Sequence, residues 1–242
     1  MTTTAPTRRE RLRTATVAEI KDVARRLLVT GGSGAVSLRA IARDMGMTPA
    51  ALYRYYPSFE ELVAGVCTDL YDECREHLER ARDECPPDDT AARVYAVCRA
   101  FRRWSTEHPA EFGLMFGSPV PELAGEHDAN HEPHAAGMRF ALVFAALFAE
   151  LWAKAPFPIP AEDEIDPRLR AQLEVYLAEL GAPVPVGAMQ LFLSCWIRLY
   201  GMVALEVFGH LHFALTDPEP MFEAELAMAA RQIGLPPCPL SS

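Results

Sequence analysis

Thr48-Pro49-Ala50-Ala51-Leu52-Tyr53-Arg54-Tyr55-Tyr56 reads as a very short helix that presents small residues, aromatic hydroxyls and one arginine outward. Thr48 suits the N-cap, since its hydroxyl can accept a backbone N–H of the first turn. Pro49 then takes the first helical position, where a missing N–H costs nothing. Immediately upstream, Ser37-Leu38-Arg39-Ala40-Ile41-Ala42-Arg43-Asp44-Met45-Gly46 reads as a second short helix, capped by Ser37 and stopped by Gly46. Two short helices around a glycine-containing turn make a helix-turn-helix unit, whose second helix enters the DNA major groove. The small Ala50 and Ala51 permit close approach to base edges. Ser37, Thr48, Tyr53, Arg54 and Tyr55 carry the donors that phosphates accept from.

Outward from this unit the pattern stays helical. A first helix is expected from Thr16, where Thr16 and Glu19 form a capping box, and Ile20, Val23, Ala24, Leu27 and Leu28 follow at helical spacing until Gly31-Gly32. Upstream, residues 1–13 read as a flexible basic arm with Arg8, Arg9, Arg11 and Arg13, able to reach into a minor groove. Downstream, Ser58 and Glu61 open a fourth helix whose apolar stripe includes Leu62, Val66, Leu70, Cys74 and Leu78. Three neighbouring tyrosines cannot all face one core. Tyr56 is expected to be the more buried, with Tyr53 and Tyr55 turned partly toward phosphate.

The chain of 242 residues carries a formal charge of −10, which is unusual for a nucleic-acid partner until it is divided by position. Residues 1–56 hold ten Lys/Arg against four Asp/Glu, a surplus of six positive charges; the remainder is correspondingly acidic. A basic head on an acidic body docks one end on phosphates and repels them elsewhere. The expected division is an arm over 1–13, a helix-turn-helix domain over 14–60, a helical regulatory and dimerisation domain over 61–235, and a loose tail over 236–242.

Six cysteines, Cys67, Cys74, Cys85, Cys98, Cys195 and Cys238, show no CxxC pairing. Cys67 and Cys74 stand roughly 10 Å apart along a helix rising 1.5 Å per residue, too far for a disulfide. Buried thiols of a reducing cytoplasm are the simplest reading, with redox sensing as the alternative. Met1–Thr7 is polar and no apolar signal segment follows, so a cytoplasmic protein is expected. The apolar run over 186–209 contains Gln190, Arg198 and Glu206, and the two charges are costly inside a bilayer and fit a bundle helix better.

After Pro86-Pro87-Asp88-Asp89, helices are expected at 89–106, 109–116, 135–154, 166–180, 187–210 and 218–233, with no strand pattern, so the fold class is all-α. His127, His131 and His134, beside Glu126 and Asp128, fall in a Pro/Gly-rich loop without helical register, so no metal site and no cofactor is assigned. Trp104, Phe116, Phe144, Trp152 and Tyr200 are candidates for the wall of an apolar pocket between body helices. The helix over 187–210 is apolar around most of its circumference and must be covered on every side. A symmetry mate would supply that cover, with Trp196, Val203, Val207, Phe222 and Leu226 as interface candidates; the alternative is a central helix buried within one chain. No G-x-S-x-G, H-E-x-x-H or phosphate-cradling glycine loop is present, so no enzyme is expected.

Thr14–Leu62 resembles the DNA-binding domain of the TetR family of transcriptional regulators. The likeness rests on Ser37-Leu38-x-x-Ile41-Ala42-x-x-Met45-Gly46-Met47-Thr48-x-x-Ala51-Leu52-Tyr53-x-Tyr55-Tyr56-x-Ser58-x-Glu60-Glu61-Leu62. Cys195-Trp196-Ile197-Arg198-Leu199-Tyr200-Gly201-Met202-Val203-Ala204-Leu205-Glu206 is similar to a segment of an actinobacterial branch of that family, with Tyr200-Gly201 where His-Gly is usual. The resemblance implies a homodimer that binds double-stranded DNA at a pseudo-palindromic operator and is released by a small-molecule effector. It also implies phosphate contacts from Ser37, Thr48, Tyr53 and Tyr55, with Arg39, Pro49, Ala50 and Arg54 at or near base edges. Phe59 stands where members commonly carry lysine, so that phosphate contact is missing or moved. A nonspecific DNA-binding or ligand-independent regulator is the alternative.

Overall fold

The computed structural model describes residues 7–117, 132–181 and 183–236. Among the described residues there are ten α-helices and no strand, as the all-α reading requires. They divide into two compact units, Met1–Asp72 with Ala110–Gly137, and Glu73–Pro109 with Met138–Ser242.

In the first unit, α1 spans Arg8–Gly31 and begins eight residues earlier than Thr16. Thr7 and Glu10 form the capping box: the Thr7 N–H donates to Glu10 Oε2 at 2.6 Å and the Glu10 N–H to Thr7 Oγ1 at 3.3 Å. Residues 8–13 are therefore helical rather than a flexible arm, because an earlier threonine-x-x-glutamate box precedes a run of good helix formers. Thr16 sits inside the helix, its hydroxyl donating to the Leu12 carbonyl at 2.9 Å. Residues 1–6 lie outside the described residues.

Helix α2 (Leu38–Asp44) and helix α3 (Pro49–Leu52) follow. Gly46, at φ 63°, closes α2: its N–H donates to Arg43 O at 3.2 Å, and the Met47 N–H to Ala42 O at 2.8 Å. This pair of bonds needs a left-handed residue, which glycine adopts without a Cβ penalty. Ile20, Ile41, Leu52 and Leu62 are completely buried and form the centre of the unit.

Helix α4 (Phe59–Asp83) starts at Ser58, whose Oγ accepts the Glu61 N–H at 3.1 Å, and its Leu62, Val66, Leu70, Cys74 and Leu78 stripe is buried as the spacing predicts. Helix α6 (Pro109–Phe116) belongs from Ala110 to the first unit rather than to a body beginning at residue 61. Phe112 is fully buried, Tyr71 meets Phe116 edge-on at 5.6 Å, and Arg25 Nε donates to the buried Glu111 carboxylate at 3.0 Å. The division at residue 60 missed this because periodicity shows that a helix has an apolar face, not which neighbour covers it.

The second unit contains α5 (Thr90–Glu107), α7 (Glu132–Lys154) from Met138, α8 (Pro167–Leu180), α9 (Val186–Val207) and α10 (Glu219–Gln232). Phe101, Phe140, Phe144 and Trp196 form a four-ring cluster with centroids 5.5 to 6.0 Å apart. Arg99 grips Glu223 through two bonds of 2.8 and 2.7 Å; Arg102 grips Glu206 at 2.8 and 2.7 Å and also reaches Glu219 at 3.1 Å. Helices His134–Lys154 and Val186–Val207 are long and apolar enough to cross a membrane by length and composition. Their Glu150, Arg198 and Glu206 are nonetheless ion-paired within the unit, to Arg93, Glu225 and Arg102, which marks both as bundle helices.

The described cysteines, Cys67, Cys74, Cys85, Cys98 and Cys195, are free thiols; Cys238 lies outside the described residues. Burial pushes Cys67 and Cys195 up to about 11 and Cys98 up to about 12, so all three stay protonated at neutral pH. The loop carrying His127 and His131 also lies outside the described residues, whereas His134 is exposed on α7.

Candidate nucleic-acid interface and effector cavity

The α2–turn–α3 segment sorts its residues by face. Leu38, Ile41, Ala42 and Leu52 point into the core, while Ser37, Arg39, Arg43, Thr48, Pro49, Ala50, Tyr53 and Arg54 are exposed. Ser37 Oγ accepts the Ala40 N–H at 3.1 Å and Thr48 Oγ1 the Ala51 N–H at 3.3 Å. Each hydroxyl thus has one lone pair occupied by the cap and its own hydrogen left to donate outward, the arrangement a phosphate oxygen accepts from. Pro49 and Ala50 are exposed at the N-terminal end of α3. After Leu52 the backbone keeps turning, with the Tyr53 N–H donating to Pro49 O at 3.2 Å and the Tyr56 N–H to Leu52 O at 3.1 Å. These turns hold the three tyrosines apart: Tyr53 is 53% exposed, whereas Tyr55 and Tyr56 are half-buried.

Burial raises the Tyr56 phenol above its ordinary value, with the Asp69 carboxylate adding to the effect. Its ring end lies against Gly65, where a Cβ would sit 3.2 Å from the phenolic oxygen, so the missing side chain makes room for the ring. Arg13, read from sequence as part of an arm, lies over the Tyr55 ring at 5.6 Å. That contact could not be found by pattern, since it depends on α1 starting at Arg8.

In the second unit an apolar cavity of about 80 Å³ lies among α5, α7, α9 and α10. Of the five sequence candidates for its wall, Phe144 lines it. Trp104 is core, 2% exposed, its indole N–H donating to Glu73 Oε1 at 3.3 Å and its ring stacked on His108. Phe116 belongs to the first unit; Trp152 packs edge-on against Phe157 at 5.1 Å and Tyr200 stacks on Trp196 at 5.9 Å, and neither lines the cavity.

Three of the interface candidates, Trp196, Phe222 and Leu226, line the cavity instead, and Val203 is completely buried. Val203, Phe222 and Leu226 are buried within their own unit, whereas Trp196 and Val207 are half-buried. The outward apolar residues are Ile197, Leu205 and Phe208 on and just after α9, and Met221 and Met228 on α10. Helical spacing carried this signal. Phe192, Cys195, Trp196, Leu199 and Met202 share one face of α9, and Ile197 and Leu205 lie off it.

A helix-turn-helix head with outward donors, joined in one chain to a helical bundle around an apolar cavity, defines a DNA-binding transcription regulator. Residues 20–66 match the family model described as bacterial regulatory proteins, tetR family, and residues 94–229 match that of the tetracyclin repressor-like C-terminal domain. The chain belongs to the TetR family of transcriptional regulators. It is 33% identical over 210 residues to the HTH-type transcriptional regulator Rv1816 of Mycobacterium tuberculosis, covering 86% of this chain and 88% of that one. The crystal structure of the regulatory protein SCO4313 matches at 30% identity and a TM-score of 0.71, over 92% of this chain and 98% of that one. At 15% identity and a TM-score of 0.51 the fold is shared with Thermus thermophilus FadR, described in complex with lauroyl-CoA, over 93% and 99% of the two chains.

Proposed function

We propose that the protein is a homodimeric, sequence-specific repressor of cytoplasmic DNA, released from a pseudo-palindromic operator by a small, mainly hydrophobic molecule. The observation carrying this reading is the row of exposed donors along α2 and α3, on a segment that is basic while the rest of the chain is acidic. Ser37, Thr48, Tyr53 and Tyr55 hold phosphates; Arg39, Pro49, Ala50 and Arg54 face base edges. Arg13, fixed over Tyr55, adds a cation at the same phosphates.

Two-fold half-sites call for a two-fold protein, and the outward Ile197, Leu205, Met221 and Met228 are the apolar surface on α9 and α10 left to cover. The effector enters the cavity of the second unit, as the lauroyl-CoA complex of the distantly related FadR makes reasonable for this fold. Helix α4 begins in the first unit and ends in the second, so an effector that binds better to one arrangement of the dimer shifts the population away from operator spacing. In this reading effector-free protein binds and effector-bound protein releases.

Selection of random duplexes by the purified protein tests the reading. Enrichment of one inverted repeat, with half-sites about one helical turn apart, is expected. Recovery of unrelated sequences in equal amounts would contradict it.

A further inference from the structure

The cations of α1 fall into two sets. Lys21, Arg25 and Arg26, in its later turns, are each paired with a carboxylate of the same unit, from Asp69, Glu111 and Asp44. Arg9 and Arg13, in its first turns, pair with no carboxylate among the described residues. Glu10 is the one acid within residues 8–13, and the Thr7 N–H already donates to it.

The two unpaired arginines share a face. Residues three and four apart on a helix stand one above the other, so Arg9 and Arg13 continue the stripe of Thr16, Val17 and Ile20. Burial falls steadily along it. Ile20 is completely buried, Thr16 and Val17 are half-buried, and Arg13 and Arg9 are exposed. The side of α1 that packs on the core therefore turns cationic where it runs out past the core.

Arg13 shows what stands at that point. Its guanidinium lies 5.6 Å from the centre of the Tyr55 ring, within reach of a cation–π contact, in the turn after α3. Arg9 lies four residues earlier, about 6 Å along the helix axis. That step spans about two phosphates of a DNA strand, at 3.4 Å of axial rise each. The match to the tetR-family model begins at residue 20, so both arginines lie outside the matched head.

We propose that the first turns of α1 are a second DNA contact, in which Arg13 and Arg9 carry the row of phosphate contacts past Tyr55 along the backbone. This rests on the DNA-binding reading above and extends its surface onto α1. Phosphate contacts carry no sequence information, so the pair adds affinity without adding selectivity.

The test is titration of full-length variants across salt, on a duplex selected by the wild type and on a scrambled one. Arg9→Ala should weaken both complexes alike and make the slope of log affinity against log salt shallower by about one unit per head. Arg9→Lys should restore the slope, because the contact is a charge on a phosphate. Arg8→Ala removes an equal charge from a side of α1 turned roughly 140° away, at 3.6 residues per turn, and should keep the wild-type slope. A wild-type slope in Arg9→Ala, or an equal loss in Arg8→Ala, overturns the inference and leaves the α2–α3 interface standing. Lost preference for the selected duplex in Arg9→Ala overturns it in favour of a base contact within a groove. Failure of the wild type to retain any duplex defeats the DNA-binding reading itself.

Discussion

The two units present function in opposite ways. In the first, the candidate residues are additions to a surface. Ser37 and Thr48 are helix caps, Tyr53 and Arg54 lie in the turn after α3, and each position follows from a backbone rule within a few residues of sequence. In the second, the candidate site is a space left between packed helices, bounded by residues up to 141 positions apart in the chain, such as Val94 and Leu235. A protruding site is written locally; an enclosed one depends on how every surrounding side chain fills its volume. The two units should therefore respond differently to substitution, the second mainly in stability and the first mainly in binding.

The largest expected effect is in the second unit. Arg102→Met leaves Glu206, 10% exposed, without its two short bonds and removes the contact to Glu219. Breaking such a pair from one side costs about 3 kcal/mol, which should appear as a lowered melting temperature. A melting curve unchanged from wild type would show that the ion pairs of this unit are ornamental.

Arg54→Ala comes next, on the opposite side of the comparison. The guanidinium is exposed, so melting should be unaffected, while operator binding weakens by about 1–3 kcal/mol if it reads a base edge. If instead it holds a phosphate, the slope of log affinity against log salt falls by about one. Tyr53→Phe should weaken binding by a smaller step without touching stability. Wild-type affinity in both variants would put the DNA-binding face elsewhere.

Ser37→Ala mixes the two kinds of effect. It removes the acceptor for the Ala40 N–H, costing about 1 kcal/mol of stability in a helix of seven residues, and it removes a phosphate donor as well. Hydrogen exchange across α2 reads the first loss and duplex titration the second.

The smallest effect is a pH dependence in the second unit. His77 Nε2 is buried without a hydrogen-bond partner among the described residues. Burial, with Arg103, Arg80 and His108 against the opposing Glu107, holds its pKa below the ordinary 6.5. The unfolded chain therefore takes up a proton first as pH falls through 6.5, and stability declines from there until the folded protein's lower pKa is passed. His77→Gln should flatten the melting temperature between pH 7 and pH 5 relative to wild type; an identical decline in both would assign the effect to other groups.

Most of the head was legible in the sequence, since capping, turn glycine and apolar period are local. Its α1 boundary was misread because two capping boxes compete, Thr7/Glu10 and Thr16/Glu19, and the upstream one prevails when the residues between them are good helix formers. In the body the helix positions were legible to within about three residues, yet Phe222 and Leu226 were assigned to an interface and lie on the cavity wall. Periodicity marks a face as apolar without saying whether the chain itself, a ligand or a second copy covers it. Exposure singles out Ile197, Leu205, Met221 and Met228 as the large apolar side chains of α9 and α10 that the chain itself leaves open.

Titration of a selected duplex and a scrambled duplex of equal length, across a range of salt, tests most directly whether the basic helix-turn-helix segment reads sequence. Both affinities should fall with salt, through release of counterions from phosphates, while the selected duplex stays at least about a thousandfold tighter near physiological ionic strength. Two coincident curves would reduce the head to a nonspecific cation and contradict the account.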